Sequence, residues 1–346
     1  MTTKQPSISS ICPIWNTEKY LHRCLTSLVE QTKKDIEIVC VNDGSPDNSL
    51  EIMNEFAAKD SRIKVVNQKN QGVAVARNVG LKNATSKYIM WCDSDDEYAP
   101  DMCEKMFNAI ETQKVDMVVC AINVINDKVD SKLAGGVEEY VKLKFSGKQS
   151  VNWNLIVHTD VSLPSKIMKK SLIDKYNMHF PDGLHFEDAY FFDQYFTASK
   201  NAYYMDEKLY HYHRNNDSIM SRSFKKTSIS LDYMQIIPKT YEYLKKNNLF
   251  DKYNDFFWHR FIQYYAFSYD NAPVNKKLYV YNWGKSFIQE HKNDLSSTEK
   301  HIIRDLYVLV SPLRSSKMAS KKIVKKLLPP KAYHVAKRVV RKVRNR

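Results

Sequence analysis

Short apolar runs alternate with amphipathic stretches through the first third of the chain. Ile8 to Ile14, Ile36 to Val41, Ile63 to Val66, Tyr88 to Cys92 and Val115 to Ala121 have the length and apolar content of buried strands. Between the first two, Leu21, Cys24, Leu25 and Leu28 recur at i, i+3, i+4, i+7, which predicts a helix capped by Asn16 or Thr17. Further helices are expected over Ser49 to Lys59, Val73 to Asn83 and about Pro100 to Thr112. Strands alternating with helices at this spacing predict an α/β fold, a mostly parallel sheet with helices on both faces. Ligands of open α/β sheets sit beyond the carboxyl ends of the strands. Four polar clusters fall at or just past such ends: Pro13 to Asn16, Asn42 to Ser45, Asn67 to Arg77, and Asp93 to Asp96.

The pattern then changes. Tyr and Phe become dense from Tyr176 to Tyr281, and Leu231 to Tyr269 reads as helix. Such rings either pack a helical core, the commoner case, or face a sugar or lipid. Lys128 to Gly147 reads as a loop able to cover a cleft, with Gly135-Gly136 as its flexible point. The expected organisation is a catalytic domain over 1–225, with a nucleotide-binding half 1–121 and an acceptor half 122–225. A helical region 226–311 and a basic amphipathic tail 312–346 follow.

Charge sharpens that division. Of the 53 lysines and arginines, 13 lie beyond Asp305, where no acidic residue occurs, so the first 305 residues carry 40 basic and 39 acidic side chains. A neutral body with a polycationic end suggests a tethered catalyst rather than a nucleic-acid groove. In the tail, Ala332, Val335, Ala336, Val339, Val340 and Val343 recur at helical spacing among Lys337, Arg338, Arg341 and Lys342. That pattern fits a helix on anionic lipid, a solvated polycation or a protein-docking helix. No apolar stretch approaches the ~20 residues of a membrane span, and the opening Met-Thr-Thr-Lys-Gln-Pro-Ser lacks the apolar core expected of a signal peptide. The six cysteines, all within the first 120 residues and without a C-x-x-C pair, suit a reducing cytoplasmic setting.

The candidate chemistry centres on Trp91-Cys92-Asp93-Ser94-Asp95-Asp96, three carboxylates where a strand stops. Alone, D-x-D is more often an acidic turn; in company it can hold a hard divalent cation and, through it, a diphosphate. The company here is Pro13-Ile14-Trp15-Asn16, Val41-Asn42-Asp43-Gly44-Ser45-x-Asp47 and Asn70-x-Gly72-x-x-x-Ala76-Arg77-Asn78. Phe186-Glu187-Asp188 and Tyr210-His211-Tyr212-His213-Arg214-x-x-x-Ser218-Ile219 follow. Together these segments resemble the family-2 glycosyltransferases, inverting enzymes with the GT-A nucleotide-sugar fold. The resemblance runs from about Ser7 to Ala121, with further matches at 186–193 and 209–219.

That resemblance implies a role for each segment. Pro13 and Trp15 would flank the nucleotide base, with Trp replacing the family's usual Tyr, and Asp43 would accept a ring N–H such as that of uracil. Asn70 and Arg77 would lie toward the nucleotide, where a helix opening near Gly72 offers free N–H groups. Asp93 would bond the ribose, Asp95 would ligate Mn²⁺ or Mg²⁺ on the diphosphate, and Asp96 would support both. Asp188, beside Glu187, would be the base that deprotonates the acceptor hydroxyl. Arg214 or His213 would touch the diphosphate, His213 could complete the metal shell, and Ser218 belongs to the same stretch. The implied activity is transfer from a nucleotide sugar, with UDP expected, to a glycan or lipid-linked acceptor in bacterial surface-polysaccharide synthesis. The expected location is peripheral, on the inner face of the cell membrane, with self-association left open. A nucleotidyltransferase using the same metal site, or a nucleic-acid partner for the tail, are the competing readings.

Overall fold

The computed structural model describes residues 5–126, 141–214 and 228–295. They fall into two compact units, those up to Arg214 in one and those from Ser228 in the other. Ser218, Gly135, Gly136 and the tail 312–346 lie outside the described residues, and what was expected of them remains a sequence reading.

In the first unit the elements run β1 (Ile8–Ile14), α1 (Glu18–Val29), β2 (Ile36–Asp43), α2 (Ser49–Lys59), β3 (Ile63–Gln68), α3 (Val73–Asn83) and β4 (Tyr88–Trp91). Then come β5 (Glu97–Tyr98), α4 (Met102–Gln113), β6 (Met117–Asn126), β7 (Gly147–Ser150), α5 (Trp153–His158), β8 (Lys166–Lys169), α6 (Lys170–Lys175), α7 (Glu187–Ala198) and β9 (Asn201–Arg214). One sheet takes the order β3-β2-β1-β4-β8-β6-β9-β5, with β7 paired on β9. Its first four strands are parallel, as the strand–helix alternation predicts. Beyond β4 the sheet is mixed. β8 runs antiparallel to both β4 and β6, and β9 is parallel to β6 but antiparallel to β5 and β7.

Side chains alternate across this sheet with period two. On one face Cys12, Ile38, Cys40 and Met90 join Leu21, Cys24, Leu25 and Leu28 of α1 and Met102 and Met106 of α4 in one core. On the other, Ile11 meets α3, and Trp91 packs edge-on against Phe180 and Phe191. All six cysteines are buried and form no disulfide, behaving as small hydrophobes.

The order β3-β2-β1-β4 reverses direction at β1, so a crevice opens between the carboxyl ends of β1 and β4. The pairing shows how. β4 accompanies β1 only from Ile8 to Ile11, whereas β2 follows β1 to Ile14. Pro13, which lacks an N–H for a ladder, stands in the stretch that β4 no longer reaches. Two helices start at this end and cap each other. The N–H of Glu18 donates to Asp47 Oδ2 (2.9 Å), and the N–H of Asn48 donates to Glu18 Oε2 (2.9 Å). Thr17 does precede α1, but its hydroxyl donates to Ser94 Oγ (3.1 Å) instead of capping the helix.

The second unit contains α8 (Tyr233–Lys246), α9 (Phe250–Asn271) and α10 (Lys277–Glu290). The helical stretch expected over 231–269 is thus two helices. Asn248, at φ 57°, adopts the left-handed turn that Asn tolerates after a helix end, and the N–H of Leu249 closes it on Leu244 O (2.8 Å). The dense aromatics here are core: Phe256, Phe257, Trp258, Phe261 and Tyr265 are buried.

Gly80 sets how closely α3 lies on β1, since a Cβ there would stand 2.3 Å from Ile11 Cγ2. Gly80→Ala is expected to lower unfolding free energy by about 1–3 kcal/mol in urea titrations, overpacking outweighing the better helix propensity. The loss should shrink when Ile11→Ala removes the clashing atom.

Candidate active site

The crevice is built first from the ends of β1 and β2. Trp15 follows the end of β1 with 49% of its surface exposed. Asp43 ends β2 and is buried. Its Oδ1 accepts from Gln68 Nε2 (2.7 Å) and the N–H of Gln71 (2.9 Å), and Oδ2 from the N–H of Gly72 (2.8 Å). Asn70 Nδ2 donates to the Asp43 carbonyl (3.0 Å). Asp43 therefore fastens the loop 68–72 and the start of α3, where a carboxylate also suits the helix dipole. Gly44 permits this approach, being at φ 64° with space for a Cβ only 2.6 Å from the Asn70 nitrogen.

The acidic loop joins β4 to β5. Asp93 and Asp95 are partly exposed at its rim, and Asp96 is buried beneath them. Asp96 Oδ2 accepts from the Tyr210 hydroxyl (2.5 Å) and Oδ1 from the N–H of His213 (2.7 Å). Burial, then Asp95 and Asp93, push its carboxyl well above the usual range, against the pull of those two donors. The Tyr210 oxygen also accepts the N–H of Asp93 (3.4 Å). Arg23 Nη2 donates to the Asp95 carbonyl (2.8 Å). Tyr212 lies within the field of Asp96, Asp95, Arg214 and Asp93, its phenol pushed up to about 12, first by burial. The end of β9 is thus drawn against the acidic loop.

The third part comes from α3 and α7. Arg77 is buried, its Nη2 on Asp93 Oδ1 (2.9 Å) and its Nη1 on Glu187 Oε1. Burial opposes its charge, yet Asp93 and Glu187 together raise its pKa above the ordinary value. Phe186, at φ 62°, takes a left-handed conformation uncommon for a bulky residue, and α7 opens immediately after it with Glu187 and Asp188. Asp188 Oδ1 accepts the N–H of Ala189 (2.8 Å). Burial and the neighbouring Glu187 lift the Asp188 carboxyl to about 7, partly countered by Arg77. A carboxylate with that affinity for protons can take one from a hydroxyl at neutral pH.

Asp93, Asp95, Asp96, Arg77 and Glu187 are thereby gathered by one network of hydrogen bonds and ion pairs, and Asp188 stands next to Glu187 at the start of α7. Two expectations meet a different geometry. Arg77, expected to reach toward a nucleotide, spends both terminal nitrogens on acids. His213, expected on the diphosphate or in a metal shell, directs Nε2 onto Glu97 Oε2 (2.5 Å). Arg214 ends β9 beside Asn126, with Nη1 3.4 Å from that side chain. Among the described residues no group of three His, Cys, Asp or Glu is placed to hold a metal alone. The rim carboxylates of Asp93 and Asp95 are nonetheless hard oxygen donors suited to Mg²⁺ or Mn²⁺, which commonly take one or two carboxylates and complete their shell with phosphate and water.

Sequence reasoning passed over Tyr210, Glu97, Arg23 and Asn78. Asn78 follows Arg77 and exchanges two hydrogen bonds with the Phe180 backbone (both 2.9 Å), fixing the segment ahead of α7. Their segments were visible, but the pairings join residues 72 or more positions apart, which no local pattern shows. Arg77→Met would leave Glu187 buried without its cation. The expected cost is about 3–5 kcal/mol of unfolding free energy, measurable by chemical denaturation.

Comparison with known proteins agrees with this geometry. The profile described as Glycosyl transferase family 2 matches residues 9–176. The chain is 33% identical over 261 residues to EpsH of Bacillus subtilis (strain 168), covering 72% of each protein. The crystal structure of S. aureus TarS 1-349 in complex with UDP-GlcNAc superposes with a TM-score of 0.55 at 18% identity, over 97% of this chain and 89% of that one. The mannosyltransferase PcManGT from Pyrobaculum calidifontis, in complex with GDP-Man and Mn²⁺, gives 0.55 at 12%, over 98% and 88%. At those identities the structures speak for the fold, which is GT-A. Sequence relationship, fold and an acidic loop at the sheet's switch point converge: the chain belongs to the family-2 glycosyltransferases.

Proposed function

We propose that this glycosyltransferase inverts the anomeric centre, moving a sugar from a UDP-sugar to a hydroxyl of a glycan or lipid-linked acceptor in bacterial surface-polysaccharide synthesis. The observation that carries the reading is Arg77, which ties Asp93 at the acidic rim to Glu187, the neighbour of Asp188. A leaving-group site and a proton acceptor are thus held in one frame. TarS, solved with UDP-GlcNAc, supports the nucleotide, and PcManGT, solved with Mn²⁺, supports the metal.

Trp15 offers its exposed face to the base. Asp43 Oδ2 accepts one N–H and keeps a second lone pair for a ring N–H of uracil. Asp93 takes the ribose hydroxyls, and Arg214 meets the diphosphate from the end of β9. A divalent cation bound at Asp95 would offset the charge gathering on the departing diphosphate. Asp188 removes the proton from the acceptor hydroxyl. The acceptor oxygen bonds the anomeric carbon as the bond to the UDP oxygen breaks on the opposite face, and the electron pair leaves with UDP. The 13 positive charges beyond Asp305 are assigned to an anionic membrane surface, at about 1 kcal/mol for each residue that reaches it.

Release of UDP, and not pyrophosphate, should accompany turnover in a panel of nucleotide sugars with manganese; pyrophosphate release would instead mark a nucleotidyltransferase. Asp95→Ala should abolish that turnover, as should chelation of divalent ions. Asp188→Asn should bind UDP with unchanged affinity in calorimetry while losing about 10²–10⁴ in kcat. In the intact enzyme kcat/KM should fall about tenfold per pH unit below about 7, because protonation removes the base. Deleting residues 317–346 should leave the protein in the supernatant when anionic vesicles are sedimented.

A further inference from the structure

Behind α7 stands a lysine that the reaction above does not use. Lys166 opens β8, an inner strand between β4 and β6, and its side chain is wholly buried. Its Nζ donates to the Ser162 carbonyl and to Ser165 Oγ (3.2 Å), not to a carboxylate. The ammonium lies 5.6 Å from the ring centre of Phe192, one helical turn beyond Asp188 on α7. It therefore sits beside the face of α7 that carries the base. Asp160, in the segment after α5, stands in the same environment. Its Oδ2 accepts from Ser162 Oγ, and its Oδ1 is buried with no hydrogen-bond partner.

The charged neighbours can be named from each element. Lys166 feels Asp160, Cys120 of β6 and Asp188, and burial draws its pKa down against the upward pull of those groups. Asp188 feels Glu187 on its own helix, Arg77 from α3 and Asp160. A buried ammonium without a contacting carboxylate is a costly way to fill a sheet interior, since an apolar side chain of similar length would avoid its desolvation. Its benefit must lie elsewhere. A positive charge beside α7 favours the ionised form of Asp188 without contact, and Asp160 opposes it.

We propose that Lys166 is a positioning residue for the transfer reaction, its charge, moderated by Asp160, keeping Asp188 ionised and available as base at neutral pH. This rests on Asp188 being the base.

The test is the pH dependence of kcat/KM, followed by UDP release from about pH 5.5 to 9. Lys166→Met should move the acidic limb upward by about half a unit or more, so that the rate near pH 6.5 falls about threefold or more beyond any change in the high-pH plateau. Lys166→Arg should bring the limb back toward its original place. Asp160→Asn should move it the opposite way, downward, because a negative charge is removed beside Asp188. A purely structural lysine would lower the plateau and the Tm without moving the limb. A limb unmoved in Lys166→Met would overturn the proposal, and a limb unmoved in Asp160→Asn would overturn the part given to Asp160. Should Lys166→Met fail to fold, Lys166→Gln replaces it: an upward shift upholds the proposal and a fixed limb overturns it. Full activity in Asp188→Asn, or an intact enzyme lacking the limb, would instead remove the base reading, and this inference with it.

Discussion

The active-site half of this fold depends on one buried cation with two acids. Arg77 projects from a helix that Gly80 allows to lie directly on β1, and its two terminal nitrogens end on Asp93 and Glu187. Glu187 could not be kept cheaply without it. A carboxylate removed from water needs a partner, and Glu187 has nearly no exposure. Because Asp93 follows β4 and Glu187 opens α7, the guanidinium also fixes the distance between the acidic loop and the start of that helix. Asn78, the next residue, secures the backbone at Phe180, so one turn of α3 sets both the charge and the chain path of the site.

Much of this was legible locally. β1, α2 and α3 begin and end where periodicity and turn residues placed them, and the D-x-D segment falls past β4 as its apolar run implied. What sequence could not show is pairing at a distance. The second half of the sheet is mixed because β8 enters reversed beside β4, and nothing in Lys166 to Lys169 reveals direction. The phenol of Tyr210 on Asp96, and Glu97 opposite His213, depend on β9 reaching back to a loop more than 100 residues earlier. The roles resemblance assigned to Arg77 and His213 were ligand roles, yet both side chains here satisfy neighbouring acids. Charged residues in a polar hollow must first balance each other, and a motif does not say with whom.

The buried acids also show why composition misleads about function. Glu37 is as hidden as Asp43, yet it accepts the N–H of Thr85 (2.6 Å) and the Ser86 hydroxyl (3.2 Å) ahead of β4, together with Ser9 of β1 and Lys64 of β3, and so ties β2 to its neighbours. It lies near the start of its strand, Asp43 at the end. Five residues of strand separate a structural latch from a site wall, because only the carboxyl end opens onto the crevice.

Tyr210 gives the acidic loop its last ties. Its hydroxyl holds both the amide of Asp93 and the carboxylate of Asp96, while Arg23 of α1 holds the Asp95 carbonyl and Arg77 of α3 the Asp93 carboxylate. A nascent chain that has left the ribosome only as far as β6 carries every acid of that loop but lacks the two bonds that the phenol supplies. The loop's full set of hydrogen bonds therefore exists only once the last strand is in place.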